Sequence, residues 1–433
     1  MNFKSIINSI ILLSTYILIV FTSCTNVNKV KELKKEQSIN AGMEAVGPYL
    51  THNSDKKAVL CWTAKDSIDS LNRVQYAIFD PVKRTFGSPV TVTSSIGCSH
   101  SPESMAKVAF KKDGTIIAVF ARKFVKEKNP YAGAIYYSTS NDSGKTWSKP
   151  LFLHSDTSHH YGRNFFDLAT LEDGEVAAIW LDGRFGKAQK GSALFFSRTE
   201  RGKGFGADSC LNKSTCECCR TNLMVDNQGN IHVAYRSIQY PATTAGAQVR
   251  DMVYISSVDN GKSFTKEKAI SNDNWKIEGC PHSGPSLAVS SNKVSAVWFS
   301  AAEGKAGLFF STAAGGTFSK RRSLSTNGRH PQLTTLGQQI LMVCEESDAS
   351  PSPASHQGTA MSSHQEGASS AKVQLSFIEN GSIQKSVSIT DGTFADHHAV
   401  ITPQDGNALI AWVRENKGIP TIYYTIKETA DDK

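Results

Sequence analysis

Two short segments repeat one chemical theme. Gly97-Cys98-Ser99-His100-Ser101 and Gly279-Cys280-Pro281-His282-Ser283 each place a thiol and an imidazole two residues apart. Between them, Ser158-His159-His160 and Cys216-Glu217-Cys218 offer the same spacing with other donors. In extended chain a spacing of two puts both side chains on one face. Thiolate and imidazole together suit copper or zinc. Cys98, His100, His160, Cys216, Cys218, Cys280 and His282 are therefore candidate ligands, with His398 at a related level in a later segment. The cysteines also admit a second reading: in an oxidising compartment Cys98, Cys210, Cys216, Cys218, Cys219 and Cys280 can pair as disulfides, and no metal is then needed. Adjacent Cys218 and Cys219 cannot easily pair with each other. Both readings stay open.

The elements that would position these residues are repeats. An apolar stretch, a turn and a second apolar stretch reaching an aromatic recur at Trp62, Phe120, Trp180, Tyr235, Trp298 and Trp412, with Cys344 in the place of the sixth aromatic. A β-rich hairpin follows each. Units of about four short strands repeated this way predict a seven-bladed β-propeller. The last repeat lacks an outer strand, which the segment near Gln37 to Ile39 can supply. On that frame the entry points of the inner strands crowd around one axis, and the metal candidates converge there.

One hairpin turn carries the most specific pattern in the chain: Ser140-Asn141-Asp142-Ser143-Gly144-Lys145-Thr146-Trp147 matches Ser-x-Asp-x-Gly-x-Thr-Trp at every fixed position. Ser257-Val258-Asp259-Asn260-Gly261-Lys262-Ser263-Phe264 is a second copy, and degenerate copies end at Phe86, Phe205 and Phe318. The aspartate caps backbone N–H groups, the glycine takes a conformation other residues resist, and the aromatic packs between sheets. On these residues the chain resembles the Asp-box (BNR-repeat) proteins of the sialidase superfamily. The resemblance implies a propeller, with the six-bladed sialidase form as the alternative to seven.

It also implies where an acidic sugar would bind. Sialidases clamp the substrate carboxylate with three arginines, and a guanidinium fork suits that group. Arg163, Arg220 and Arg329 near the starts of inner strands, with Glu103 and Tyr161, are the matching candidates. The family's Phe/Tyr-Arg-Ile-Pro motif is absent. Three readings follow: a copper or zinc site acting on a small molecule, a sialidase-like hydrolase or glycan-binding lipoprotein, and a noncatalytic scaffold. No catalytic residue is assigned.

The ends set the expected compartment. Lys4, the mostly apolar run from Ile6 to Val20 and Phe21-Thr22-Ser23-Cys24 form a lipoprotein signal. Residues 1–23 are expected to be removed, Cys24 lipidated, 24–42 to form a tether, and 43–433 to form the propeller domain. That predicts an exported monomer on the outer membrane or cell surface, held by its lipid. The formal net charge is +8, from 47 basic and 39 acidic residues; no basic stripe accompanies it, which argues against a nucleic-acid partner. Cys61 and Cys344 lie in apolar runs and read as core. The stretch from Ser347 to Ala371, with His356, Met361 and His364, reads as a flexible loop.

Overall fold

The computed structural model describes residues 36–39, 42–125, 127–277, 279, 281–347 and 371–429. The expected signal segment, Cys24, most of the tether, Cys280 and residues 348–370 lie outside the described residues. No helix among them is long and apolar enough to cross a membrane.

The chain is all β and antiparallel. Each apolar stretch and its neighbour pair as a hairpin, and further hairpins extend the pair into a meander. The first sheet begins with Ala45–His52 and Ala58–Lys65, and the second with Lys107–Phe110 and Ile116–Lys123. The third is eight-stranded, running from Arg163–Thr170 to Lys268–Ala269. Ser286–Ser290, Gly328–Leu336 and Ala395–Gln404 open the remaining three. Gln37–Ser38 pairs with Ile419–Lys427 through Gln37↔Tyr424 and supplies the fourth strand of the last sheet.

The alternation of the second strands explains the core. Trp62, Phe120, Trp180, Trp298, Cys344 and Trp412 are completely buried and Tyr235 nearly so. They pack between neighbouring sheets, as Trp62 does with Leu409, Ala411 and Tyr424. Truncating one of these tryptophans removes contacts worth about 3–5 kcal/mol. Polar ends are met locally: the indole N–H groups of Trp180 and Trp412 donate to Asp182 (3.2 Å) and Asp396 (3.0 Å).

The two octapeptide turns are built from their own side chains. Ser140 Oγ donates to Asp142 Oδ1 (2.8 Å) and accepts from Gly144 N (2.9 Å), while Asp142 accepts from Thr146 N (2.9 Å) and Thr146 Oγ1 (2.6 Å). Gly144 has φ +85° and lies so close to Tyr76 that a Cβ would stand 2.3 Å from its hydroxyl. Ser257, Asp259 and Gly261 repeat the pattern, and Phe264 meets Phe196 edge-on at 5.1 Å.

The expected propeller, in its seven-bladed and six-bladed forms alike, is corrected. The strands form six hydrogen-bonded sheets, and none closes on itself into a barrel or propeller. The third and fourth repeats merge: the register shifts between Ser192 and Phe195, and Thr215 at the end of Ser209–Thr215 bridges Ser237 of the next meander. Hydrophobic periodicity locates a strand and its buried face but does not decide which edge it pairs with. The expected hub for a metal falls with the propeller.

Candidate metal centre

Three segments that lead into strands bring a charged or imidazole side chain to one cluster. Pairing in these strands is anchored at Asn222↔Ala234, Gln332↔Val343 and Val400↔Ala411. Arg220, His330 and His398 each stand two residues earlier. Bulges interrupt the register between Arg329 and Gln332 and between His397 and Val400. At each of these, the histidine takes left-handed backbone, φ 46° for His330 and 53° for His398. Non-glycine residues resist that region, and such strain concentrates where function needs a side chain re-aimed.

The two imidazoles converge on one carboxylate. Their rings stack with centroids 4.8 Å apart. Glu103 Oε1 accepts from His398 Nε2 (2.7 Å) and lies 3.5 Å from His330 Nε2. Its other oxygen accepts from Arg220 Nε at 2.8 Å. His330 Nδ1 donates to Glu345 Oε2 (3.0 Å), and Glu345 also accepts the backbone N–H of His398. His398 Nδ1 is 2.6 Å from His397 Nδ1.

Charge is balanced inside this network. Burial favours a neutral Glu103, but Arg220, then His330 and His398, outweigh it and hold the carboxyl well below its usual range. Glu345 is lowered to about 2: burial opposes ionisation and His330 overcomes it. His330 is raised because Glu345 and Glu103 outweigh its burial, whereas burial dominates at His398 and lowers it to about 4. The carboxylates favour protonation at His330, while burial favours the neutral ring at its stacked neighbour His398.

The cleft beside this cluster encloses about 260 Å³, lined among others by Tyr49, Lys107, Asp167, Arg220 and His330. Lys107 Nζ donates to Phe166 O (2.8 Å) and faces Asp167 at 3.9 Å. Burial lowers it to about 8 despite that carboxylate.

Two clusters among the described residues can hold a metal: Glu103 with His330 and His398, and Cys216 with Cys218 and Cys219, the donor atoms of each lying within 4.8 Å of one another. The expected residues are thus regrouped. Glu103 and Arg220, expected in a sugar clamp, meet His398, expected as a ligand. Cys216 and Cys218 stay together and are joined by Cys219. Cys98 is buried beneath the first sheet's strands, its thiol pushed up to about 12 by burial. His100 faces Glu44 at 3.8 Å, and the exposed His160 faces Glu127 at 3.5 Å. His282 has left-handed backbone, and its neighbour Cys280 lies outside the described residues. Arg163 is buried on Asp182 (3.1 Å) and Asp156 (2.8 Å), with the Tyr161 ring 5.8 Å away. Arg329 lies over Phe299.

Glu345, Lys107 and Asp167 were not anticipated. Each had a signal, a charge inside an apolar strand: Glu345 follows Leu341-Met342-Val343-Cys344, Lys107 lies between Ala106 and Val108, and Asp167 follows Phe165-Phe166.

The class this arrangement defines is an antiparallel all-β protein with a histidine–carboxylate cluster in a polar cleft. No family model matches the chain, and no curated protein does. Among solved structures, the polysaccharide lyase Uly1 is similar in fold, with a TM-score of 0.53 at 10% identity over 88% of this chain and 89% of that one. A protein of unknown function from Dyadobacter fermentans reaches 0.46 at 13% identity, over 92% of this chain and 98% of that one. Trypanosoma rangeli sialidase reaches 0.44 at 11% identity, over 81% and 57%. At those scores neither of the last two carries weight. Membership of the sialidase superfamily, expected from the turns, is corrected on these grounds: the turns are local devices, and neither a family match nor a closed propeller accompanies them.

Proposed function

We propose that Glu103, His330 and His398 hold a zinc ion and that this centre acts on an acidic polysaccharide in the adjoining cleft. One observation carries the metal reading. Glu345 occupies Nδ1 of His330, which leaves Nε2 aimed at the Glu103 oxygen that also meets Nε2 of His398. A carboxylate on the far nitrogen is what fixes the tautomer of a metal-bound histidine. Two imidazoles and one carboxylate form an open zinc set that keeps a position for water or substrate.

The substrate reading rests on charge and fold. Arg220 lines the cleft and complements a sugar carboxylate, and Uly1, a neighbour in fold, is a polysaccharide lyase. In a lyase reaction Arg220 would stabilise charge on the uronate carboxylate, to which a bound zinc would add its own charge. A base takes the proton α to that carboxylate, the β C–O glycosidic bond breaks, and the departing sugar oxygen takes a proton from solvent. Lys107, lowered to about 8, is the candidate base.

Metal analysis of the chain purified without a histidine tag tests the centre: about one zinc per chain is expected, lost in His330→Asn. A chain that neither carries nor takes up zinc overturns it. Incubation with uronate-containing polysaccharides should yield unsaturated products from the native chain and none from Lys107→Gln. Turnover undiminished in that variant removes Lys107 from the reaction.

We also infer that the chain is exported and acylated at Cys24, supported by Lys4, the apolar run and the small residues before the cysteine. Membrane fractionation of Cys24→Ala, with mass spectrometry of the native N-terminal peptide, tests this. A variant that still partitions with membranes and a native peptide without acyl chains would refute it.

A further inference from the structure

The second cluster lies where the merged sheet turns. Cys216 follows Thr215, the residue that bridges the two meanders, and its N–H donates to Arg236 O at 2.9 Å. Cys216, Cys218 and Cys219 are all buried and pack together with Phe165. Cys216 Sγ lies 3.8 Å from Cys218 Sγ and 2.6 Å from Cys219 Sγ. Arg250 Nη1 stands 3.4 Å from Cys216 Sγ and 2.9 Å from Glu217 Oε2, and Arg250 is almost fully buried.

We propose that Cys216, Cys218 and Cys219 form a trigonal copper(I) site, separate from the histidine–carboxylate centre. Three features select the ion. The ligands are all sulfur, which favours soft copper(I). Three thiolates are one short of the four ligands that structural zinc takes. The Arg250 guanidinium beside Cys216 is a cation that offsets thiolate charge, so that a singly charged ion suffices. On binding, three thiols release three protons to solvent and form three Cu–S bonds. Copper remains in its +1 state, so no oxidant or reductant is consumed.

The test is anaerobic titration of the reduced full chain with copper(I) buffered by bicinchoninate. One equivalent should bind. Affinity should fall at least tenfold in Cys216→Ser and in Cys219→Ser, and should be unchanged in His330→Asn. X-ray absorption of the copper-loaded native chain needs no variant to fold and should show sulfur neighbours only. Undiminished uptake by a Cys216→Ser/Cys219→Ser double variant, nitrogen or oxygen in the copper shell, or zinc displacing copper(I) at one equivalent would each overturn the site. So would a Cys216–Cys219 disulfide that persists under the reducing conditions of the titration and blocks uptake.

Discussion

The turn from Ser140 to Trp147 and the cluster around Glu103 are both organised by a buried or capped carboxylate, yet they are assembled over very different lengths of chain. Every hydrogen bond that defines the turn spans four residues or fewer. Glu103 meets Arg220 across 117 residues and His398 across 295. A motif that closes on itself can be moved between folds and says little about chemistry. A cluster drawn from distant segments of the chain exists only where the whole frame places it. Damage to the two regions should therefore separate, with metal lost in one case and stability in the other.

The largest effect is expected at the ligands. Asparagine tolerates the left-handed backbone that His330 and His398 adopt, so His330→Asn and His398→Asn remove an imidazole with little added strain. Zinc affinity, measured by competition with a chelating dye, should fall by more than the roughly 10–100-fold that a ligand's hydrogen-bond partner is worth. Unfolding of the metal-free chain should be nearly unchanged. A large loss of stability without loss of zinc would show that the histidines belong to the frame and not to a site.

Glu345→Gln comes next. The amide keeps an acceptor for His330 Nδ1 but gives up the charge that holds that imidazole in place. Affinity should fall about 10-fold, the lower end of the range for an outer partner. An unchanged affinity would remove Glu345 from the centre and leave the stacked rings to orient themselves.

The same contrast explains what the sequence made legible. The seven buried positions from Trp62 to Trp412 could be read because a second strand shows one face to the core, and an apolar run ending in an aromatic records that face. The turns could be read because their ligands are adjacent in the chain. The cleft could not. Glu103 and Arg220 looked like a sugar clamp because each precedes an inner strand, and His398 looked like a ligand because it stands at a related level in a later segment. Nothing local tells Glu103 that His398 will arrive from the last sheet. The number and closure of the sheets failed for a related reason: Thr215 meets Ser237 through edge pairing, which leaves no periodic trace. Glu345 carries a local signal, a charge directly after an apolar run, but nothing beside it names His330 as its partner.

In the turn, Gly144→Ala should act on stability alone. The residue holds φ +85°, and an added Cβ would stand 2.3 Å from Tyr76 Oη. Backbone strain of this kind costs about 1–3 kcal/mol, read as a lower denaturant midpoint with zinc affinity unaltered. A coupled loss of zinc would mean that the local motif and the distant cluster are not independent.

The smallest effect separates the two carboxylates by pH. Asp142 is partly exposed, and hydrogen bonds from Thr146 and Ser140 lower it to about 2; Asp259 is lowered likewise by Ser263 and Ser257. An aspartate whose folded pKa lies below its unfolded value contributes stability that is fully present above the unfolded value, near 3.9. That contribution is lost as pH falls toward 2. Asp142→Asn keeps one acceptor and discards the charge, so it should be less stable than the native chain at pH 6. The gap in melting temperature should narrow steadily between pH 4 and 2, and Asp142→Asn/Asp259→Asn should show a wider gap closing over the same interval. A gap that is constant with pH would mean that the turn depends on the shape of its acceptor and not on its charge. Glu103, bound by a guanidinium and two imidazoles from distant strands, would then be the one carboxylate of the pair whose charge matters.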